Sequence, residues 1–351
     1  MENTRPVTLK AVARAAGVSV SAASYALRSA PNIPADTVAK VRAAADSLGY
    51  RPNARVAELM SHIRGSRRLP TAERLALVWP EGARAQDMKD AFRRKILNGA
   101  RTRAAALGYR LDEFWLEEVD GNAPRLAAIL RARGIAGVVF APVSHAARFT
   151  LDWPWEQFAM AVVGTAEWNA PLSRAAHHHY EAMRLALSGL ARNGARRPAA
   201  LVDPETNERA HRGWQGAWLA YAPGDAAASL LMMDATSPAS SRVRAWLRTT
   251  KPDALVIDGD TALHRARAAG WRDTPLNTAH LSWWQDHAHC GVDQGYDLIA
   301  AHAVDLVVAQ LHRNERGLPD EPRTLLFAGR WMEPRTAASE LKSSGTFRLP
   351  S

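Results

Sequence analysis

The chain has 351 residues, 47% of them apolar, enough for two or three domains with separate cores. One cysteine, Cys290, excludes a disulfide framework within the chain, no secretory-type leader opens it, and no apolar run reaches membrane-spanning length, so a reducing cytoplasm is the expected home. The net charge of +10 sits at one end: residues 1–68 hold eleven Lys or Arg against four Asp or Glu, which leaves a surplus of only three for the rest. A dense basic module on a nearly neutral body is the footprint of a phosphate-binding head, because each neutralised phosphate releases condensed counterions.

In chain order, Thr8 can cap a helix whose apolar positions Leu9, Val12, Ala13 and Ala16 recur at helical spacing, and Gly17 supplies the left-handed residue of a tight exit. Ser19 then serves as N-cap for Val20–Leu27, so two short helices joined by a short glycine-containing turn make a helix-turn-helix. After a break over residues 29–34, Val38, Val41, Ala45 and Leu48 pattern a third helix that Gly49 stops. From Leu75 onward apolar runs such as Leu75–Trp79, Gly137–Phe140, Pro198–Val202 and Ala254–Ile257 alternate with helical patterns, which implies parallel, doubly wound sheets in two similar α/β lobes.

Two stretches are specific. Val7-Thr-Leu-Lys-Ala-Val-Ala-Arg-Ala-Ala-Gly-Val-Ser19 and Leu48-Gly-Tyr-Arg-Pro-Asn53 resemble the opening and the third-helix exit of the LacI/GalR (lac repressor) family. Late motifs, Gly291-Val-Asp-Gln294, Ala303-Val-Asp-Leu306, the run from Gln310 to Pro319 and Gly329-Arg-Trp-Met332, extend the resemblance over essentially the whole chain. It implies a small all-α helix-turn-helix head at residues 1–52, a hinge helix and linker at 53–70, and a periplasmic-binding-protein-like α/β sensor and dimerisation domain of two doubly wound lobes at 71–351.

Under that resemblance the second helix enters the major groove, with Val20, Ser21 and Tyr25 as base readers. Tyr25 stands where most relatives carry arginine, so a bidentate guanine contact is replaced by a single hydroxyl and a ring. Thr8, Ser19, Ser24, Thr37, Asn53 and Arg55 suit backbone positioning, although Ser24 could equally cap or pack. Leu59, seven residues after Pro52, matches the family's minor-groove wedge, which unstacks a base step and bends the duplex.

In open α/β sheets ligands bind beyond the carboxyl ends of strands. Trp79, Pro142, Gly164, Asp203, Asp258 and Trp283 lie there, and Asp258 and Gln294 match the family's ligand contacts. Arg212 and Arg209 are rival candidates for a third contact, and Trp79, Trp214, Trp283 and Trp284 for aromatic walls that would suit a sugar. His177-His-His179 lacks metal-ligand spacing, because three consecutive side chains diverge, and no phosphate loop, nucleophile elbow or zinc-protease helix occurs. The expectation is a cytoplasmic, homodimeric, non-enzymatic repressor that needs no cofactor or metal. It binds palindromic double-stranded DNA under the control of a small carbohydrate.

Overall fold

The computed structural model describes residues 9–27, 34–48, 73–82, 91–143, 148–233, 240–283 and 288–334. The chain divides into two compact units, Met1–Thr71 and Ala72–Ser351.

The first unit holds α1 (Leu9–Ala15), α2 (Val20–Leu27) and α3 (Ala35–Ser47). Gly17, at φ +68°, turns the chain out of α1. Ser19 Oγ accepts from Ala22 N–H at 3.1 Å and so caps α2. Val12, Ala13, Ala23, Ala26, Val41 and Ala45 form the core. Four of the six are alanines, which lets three short helices approach closely around a small apolar centre.

The second unit begins with β1 (Arg74–Trp79), α4 (Ala91–Ala106), β2 (Arg110–Trp115), α5 (Ala123–Ala132), β3 (Gly137–Phe140), β4 (Ala159–Val163) and β5 (Arg174–His177). It continues with α6 (His179–Arg192), β6 (Pro198–Val202), α7 (Pro204–Arg209), α8 (Gly213–Tyr221), β7 (Leu230–Met232), α9 (Ser240–Thr250), β8 (Ala254–Ile257), α10 (Asp260–Ala268), β9 (Thr278–His280) and β10 (Cys290–Asp293). It ends in α11 (Tyr296–His312), β11 (Thr324–Phe327) and β12 (Arg330–Met332). One sheet runs β11-β5-β4-β3-β1-β2 with every pair parallel; the other runs β12-β10-β9-β8-β6-β7, parallel except for β10 and β12.

The central strands β1, β3, β4, β6 and β8 are buried on both faces, which is why they read as continuous apolar runs. In the first lobe Leu126 and Leu130 of α5 cover Val138, Phe140 and Met160, while Ile96 of α4 and Val304 and Val307 of α11 cover Leu75, Leu77 and Val139. In the second lobe Met183 of α6 with Trp214 and Trp218 of α8 cover Val202 and Val256, and Val243 of α9 with Leu263 of α10 cover Leu201, Leu255 and Ile257.

The chain crosses between the lobes three times: from β5 into α6, from β10 into α11, and from β11 into β12. The crossings touch one another. His178 N–H donates to the Phe327 carbonyl at 2.8 Å, and Gly329 lies against Asp293 and His177. Further bonds bridge the lobes: Lys95 Nζ meets Asp293 Oδ1 at 3.0 Å, Thr165 Oγ1 donates to the Arg209 carbonyl at 2.8 Å, and the His211 ring lies 2.9 Å from the Thr165 carbonyl.

Candidate functional site

Parallel strands place all their carboxyl ends on one edge of each sheet, and here the two edges face each other across a cleft of about 250 Å³. From the first lobe come Trp79 at the end of β1, Pro142 after β3, Val163 to Ala166 after β4, His177 at the end of β5, and Phe92 and Arg93 of α4. From the second come Thr206 and Arg209 of α7, Trp214 of α8, and Ser282 after β9. His179, Gln294 and Tyr296 enter from the crossings.

The walls are aromatic and fixed. Trp79 stacks on Trp115 at 5.2 Å with an interplanar angle of 19°, and its indole N–H donates to Glu113 at 2.8 Å. The Arg93 guanidinium lies 5.1 Å from the Trp79 ring and 5.0 Å from that of Trp115, held by cation–π attraction. Opposite, His179 meets Trp214 edge-on at 5.0 Å and His177 at 5.1 Å, and Phe92 meets Tyr296 edge-on at 4.6 Å.

Five buried polar atoms on these walls have no hydrogen-bond partner among the described residues: both ring nitrogens of His177, Nδ1 of His179, Nε1 of Trp214 and Oε1 of Gln294. The amide nitrogen of Gln294 is committed, donating to the Leu281 carbonyl at 2.8 Å and Ser282 Oγ at 3.0 Å, and this turns its oxygen to the open side. Elsewhere in the first lobe such atoms are scattered, as in Trp153, Trp168 and Gln157. A buried donor or acceptor left unpaired costs about 1–3 kcal/mol. Five of them facing one space describe a site built to be filled by a polar molecule.

Burial pushes the His177 pKa down to about 4 and that of His179 well below the usual range, so both rings are neutral, each with one donor and one acceptor. Burial also pushes the Tyr296 hydroxyl up to about 12, against the nearby Arg209 charge.

Residues 8–53 match the family model of the bacterial regulatory proteins, lacI family. The maltose regulon regulatory protein MalI of Vibrio furnissii is 25% identical over 146 residues, 42% of this chain and 96% of that protein. The match to the lacI family thus lies in the helix-turn-helix head. The fold of the chain is shared with two solved structures. A transcriptional regulator CelR–cellobiose complex has TM-score 0.50 and 20% identity, covering 94% of this chain and 99% of that one. A periplasmic binding protein/LacI transcriptional regulator from Alkaliphilus metalliredigens QYMF, complexed with D-xylulofuranose, has TM-score 0.51 and 12% identity, covering 75% and 98%. The chain thus carries a lacI-type helix-turn-helix, DNA-binding head and a body of periplasmic-binding-protein-like fold.

The structure brings Trp79, Arg209 and Gln294 into the cleft. Asp258 lines an adjoining recess that shares Thr206, Arg209 and Ser282 with it; there it accepts from Asp203 N–H at 2.7 Å, and burial pushes its pKa up to about 6. Two expectations need correcting. Arg212 is exposed, paired with Glu208 at 2.7 Å, and lines neither recess, because His211 and Arg212 at φ 51° and 55° form a left-handed turn that swings it outward. Trp283 is core: it is 3% exposed and its indole donates to the His289 carbonyl at 2.9 Å. Of the three consecutive histidines, His178 diverges and caps α6 through Glu181 N–H, while His177 and His179 share the cleft, a pairing not anticipated from the sequence. Among the described residues no group of three or more metal-ligating side chains forms, and no helix is long and apolar enough to cross a membrane.

Ser19 is exposed at the start of α2 and Thr37 is half-buried in the first turn of α3. Val20, Ser21, Ser24 and Tyr25 lie on α2, but their side chains fall outside the described residues, as do Thr8, Asn53, Arg55, Leu59 and Trp284 altogether.

The buried titrating groups give the body opposed pH dependences. A histidine whose folded pKa is depressed contributes stability that is fully present above its unfolded value near 6.5 and is lost as pH falls toward its folded value. For His177, with a folded value of about 4, that loss is on the order of 3 kcal/mol. Asp258, raised to about 6, acts in reverse: its penalty is absent at low pH and appears as pH rises through the range from about 4 to 6. Melting temperatures measured at steps from pH 6.5 to 4 should therefore fall less steeply in His177→Gln than in the parent, and more steeply in Asp258→Asn.

Proposed function

We propose that this chain is a homodimeric cytoplasmic repressor whose operator affinity is set by a small polyhydroxylated effector held between the two lobes. The reading rests on the cleft. Its unpaired His177, His179, Trp214 and Gln294 atoms call for a ligand with several donors and acceptors, and flat indole walls suit the C–H face of a sugar. Two structures of the same fold were each solved with a sugar. Trp79, Arg209 and Gln294 contact the effector, and Asp258 orients the adjoining wall.

The bonds from Thr165 to Arg209 and His211 join the lobes at the cleft, so a ligand that fits the closed cleft stabilises that arrangement. Closure shifts the dimer partners, and the hinge helices within residues 53–70, with Asn53, Arg55 and the Leu59 wedge, gain or lose their seat in the minor groove. A coupling of typical size changes operator affinity by about 5- to 150-fold.

The test is selection from a pool of random DNA duplexes at near-physiological salt, with the parent, Leu59→Ala and Tyr25→Arg. A palindrome with a flexible central step is expected, weakened in Leu59→Ala and changed in its half-sites in Tyr25→Arg. Enrichment of no sequence, with binding that simply fades as salt rises, would overturn the reading.

A further inference from the structure

We propose that the effector of this cleft is a single sugar ring, a monosaccharide that fits wholly between the lobes and leaves the adjoining recess beside Asp258 to water. This rests on the cleft being the effector site and adds the size of what fills it.

Two spaces compete for the ligand. The cleft measures about 250 Å³ and the recess about 410 Å³, and the two share Thr206, Arg209 and Ser282, so a path for a longer ligand exists. One water takes about 30 Å³ of liquid. The cleft is therefore room for about eight waters, enough for one pyranose or furanose ring, which displaces about six, and too little for two rings.

The unpaired atoms separate the two spaces. His177, His179, Trp214 and Gln294, whose buried donors and acceptors lack hydrogen-bond partners, all line the cleft. Among the described residues lining the recess, none carries such an atom. Polar groups of the recess already serve the fold. Asp258 accepts from Asp203 N–H at 2.7 Å, and Asp203 Oδ1 accepts from Thr206 N–H at 2.9 Å and from Thr206 Oγ1 at 3.2 Å, which caps α7. A polar molecule in the cleft relieves unpaired atoms, whereas one in the recess relieves none.

The origin of the two linings agrees. The cleft is lined from both lobes, but the described lining of the recess comes from the second lobe alone, from the ends of β6, β7 and β8 and from α7 and α10. A ligand shifts the balance between two arrangements by its difference in affinity for them. A unit in the recess meets the same lobe in open and closed forms alike and contributes no such difference. A ring in the cleft meets Trp79 of one lobe and Trp214 of the other, with its C–H face on indole and its hydroxyls on the imidazoles.

The experiment is calorimetric titration of the full-length protein at neutral pH with D-glucose against maltose and cellobiose, D-galactose against lactose, and D-xylose against xylobiose. It is run in the parent, Thr261→Trp and His179→Phe. Thr261 is exposed and lines the recess but not the cleft, so an indole there fills the recess without entering the core. At least one monosaccharide is expected to bind more tightly than the disaccharides built from it, by about tenfold, since the second ring finds no unpaired partner. Its affinity should stay within about twofold of the parent's in Thr261→Trp and fall about tenfold in His179→Phe, which keeps an aromatic ring beside Trp214 but loses the nitrogens. A disaccharide that binds as tightly as its monosaccharide or more so overturns the single ring and leaves the effector site standing, and its loss in Thr261→Trp would place the second ring in the recess. No binding by any of these sugars, or binding that His179→Phe leaves unmoved, overturns both.

Discussion

Gly99→Ala is expected to destabilise the sensor body by about 3 kcal/mol, at the upper end of overpacking costs, lowering its melting temperature by roughly 10 °C. A methyl group at Gly99 would stand 2.0 Å from the carbonyl oxygen of Asp297 and 2.6 Å from its Cα. Both obstacles are backbone, so no side chain can rotate away, and α4 and α11 must separate along their packed length. An alanine in mid-helix ordinarily gains about 0.5–1 kcal/mol over glycine. Here the contact reverses the sign. Gly216 in α8 is the matched control, because a methyl there meets nothing nearer than the Tyr180 ring at 3.8 Å. Gly216→Ala should gain what Gly99→Ala cannot. Urea melts of the full chain and both variants decide it, and a midpoint for Gly99→Ala at or above the parent's would show that the helices separate without cost.

How much of this was legible in the sequence depended on length and burial. Pro198–Val202 and Ala254–Ile257 are buried along their whole length, and such strands stand out as apolar runs. Thr278–His280 and Cys290–Asp293 are equally buried but no longer than four residues and carry Thr, His, Cys and Asp, so no periodicity announces them. The cleft obeys the same logic. Trp79 is found by looking at strand ends, because carboxyl ends gather on one edge, whereas Gln294 is found only through the family resemblance of its motif. Phe92, Arg93 and Tyr296 come from helices that open onto the cleft, for which strand ends give no signal. His177 and His179 were readable in principle, since alternate residues leaving a strand share a face. Arg209 and Arg212 could not be separated by spacing, because a two-residue left-handed turn at His211 and Arg212 decides which guanidinium faces inward, and arginine is not a residue type that favours such a turn.

The crossings carry the other large effect. Gly329 lies in the third of them at φ +77°, and a methyl there would meet the Asp293 carbonyl at 2.8 Å, His177 Cε1 at 3.0 Å and Val292 Cγ1 at 3.1 Å. Gly329→Ala therefore adds contact strain to the left-handed backbone penalty, and the sum should reach about 3 kcal/mol. The consequence for function is separable. One obstacle is a ring whose polar atoms face the cleft, and another immediately precedes Gln294, so the displaced groups are those that line the cleft and the segments that cross between the lobes. Affinity for the effector proposed for the cleft should fall about tenfold or more, the size expected when a buried polar contact is lost. Gly194, at φ +93° beyond the end of α6 with nothing within 4 Å of where a methyl would stand, isolates the backbone contribution. Gly194→Ala should lose about 1–2 kcal/mol and bind as the parent does. If the two variants lose equal stability and neither loses affinity, the crossings are mere connections; if affinity falls in Gly329→Ala alone, they transmit the state of the cleft.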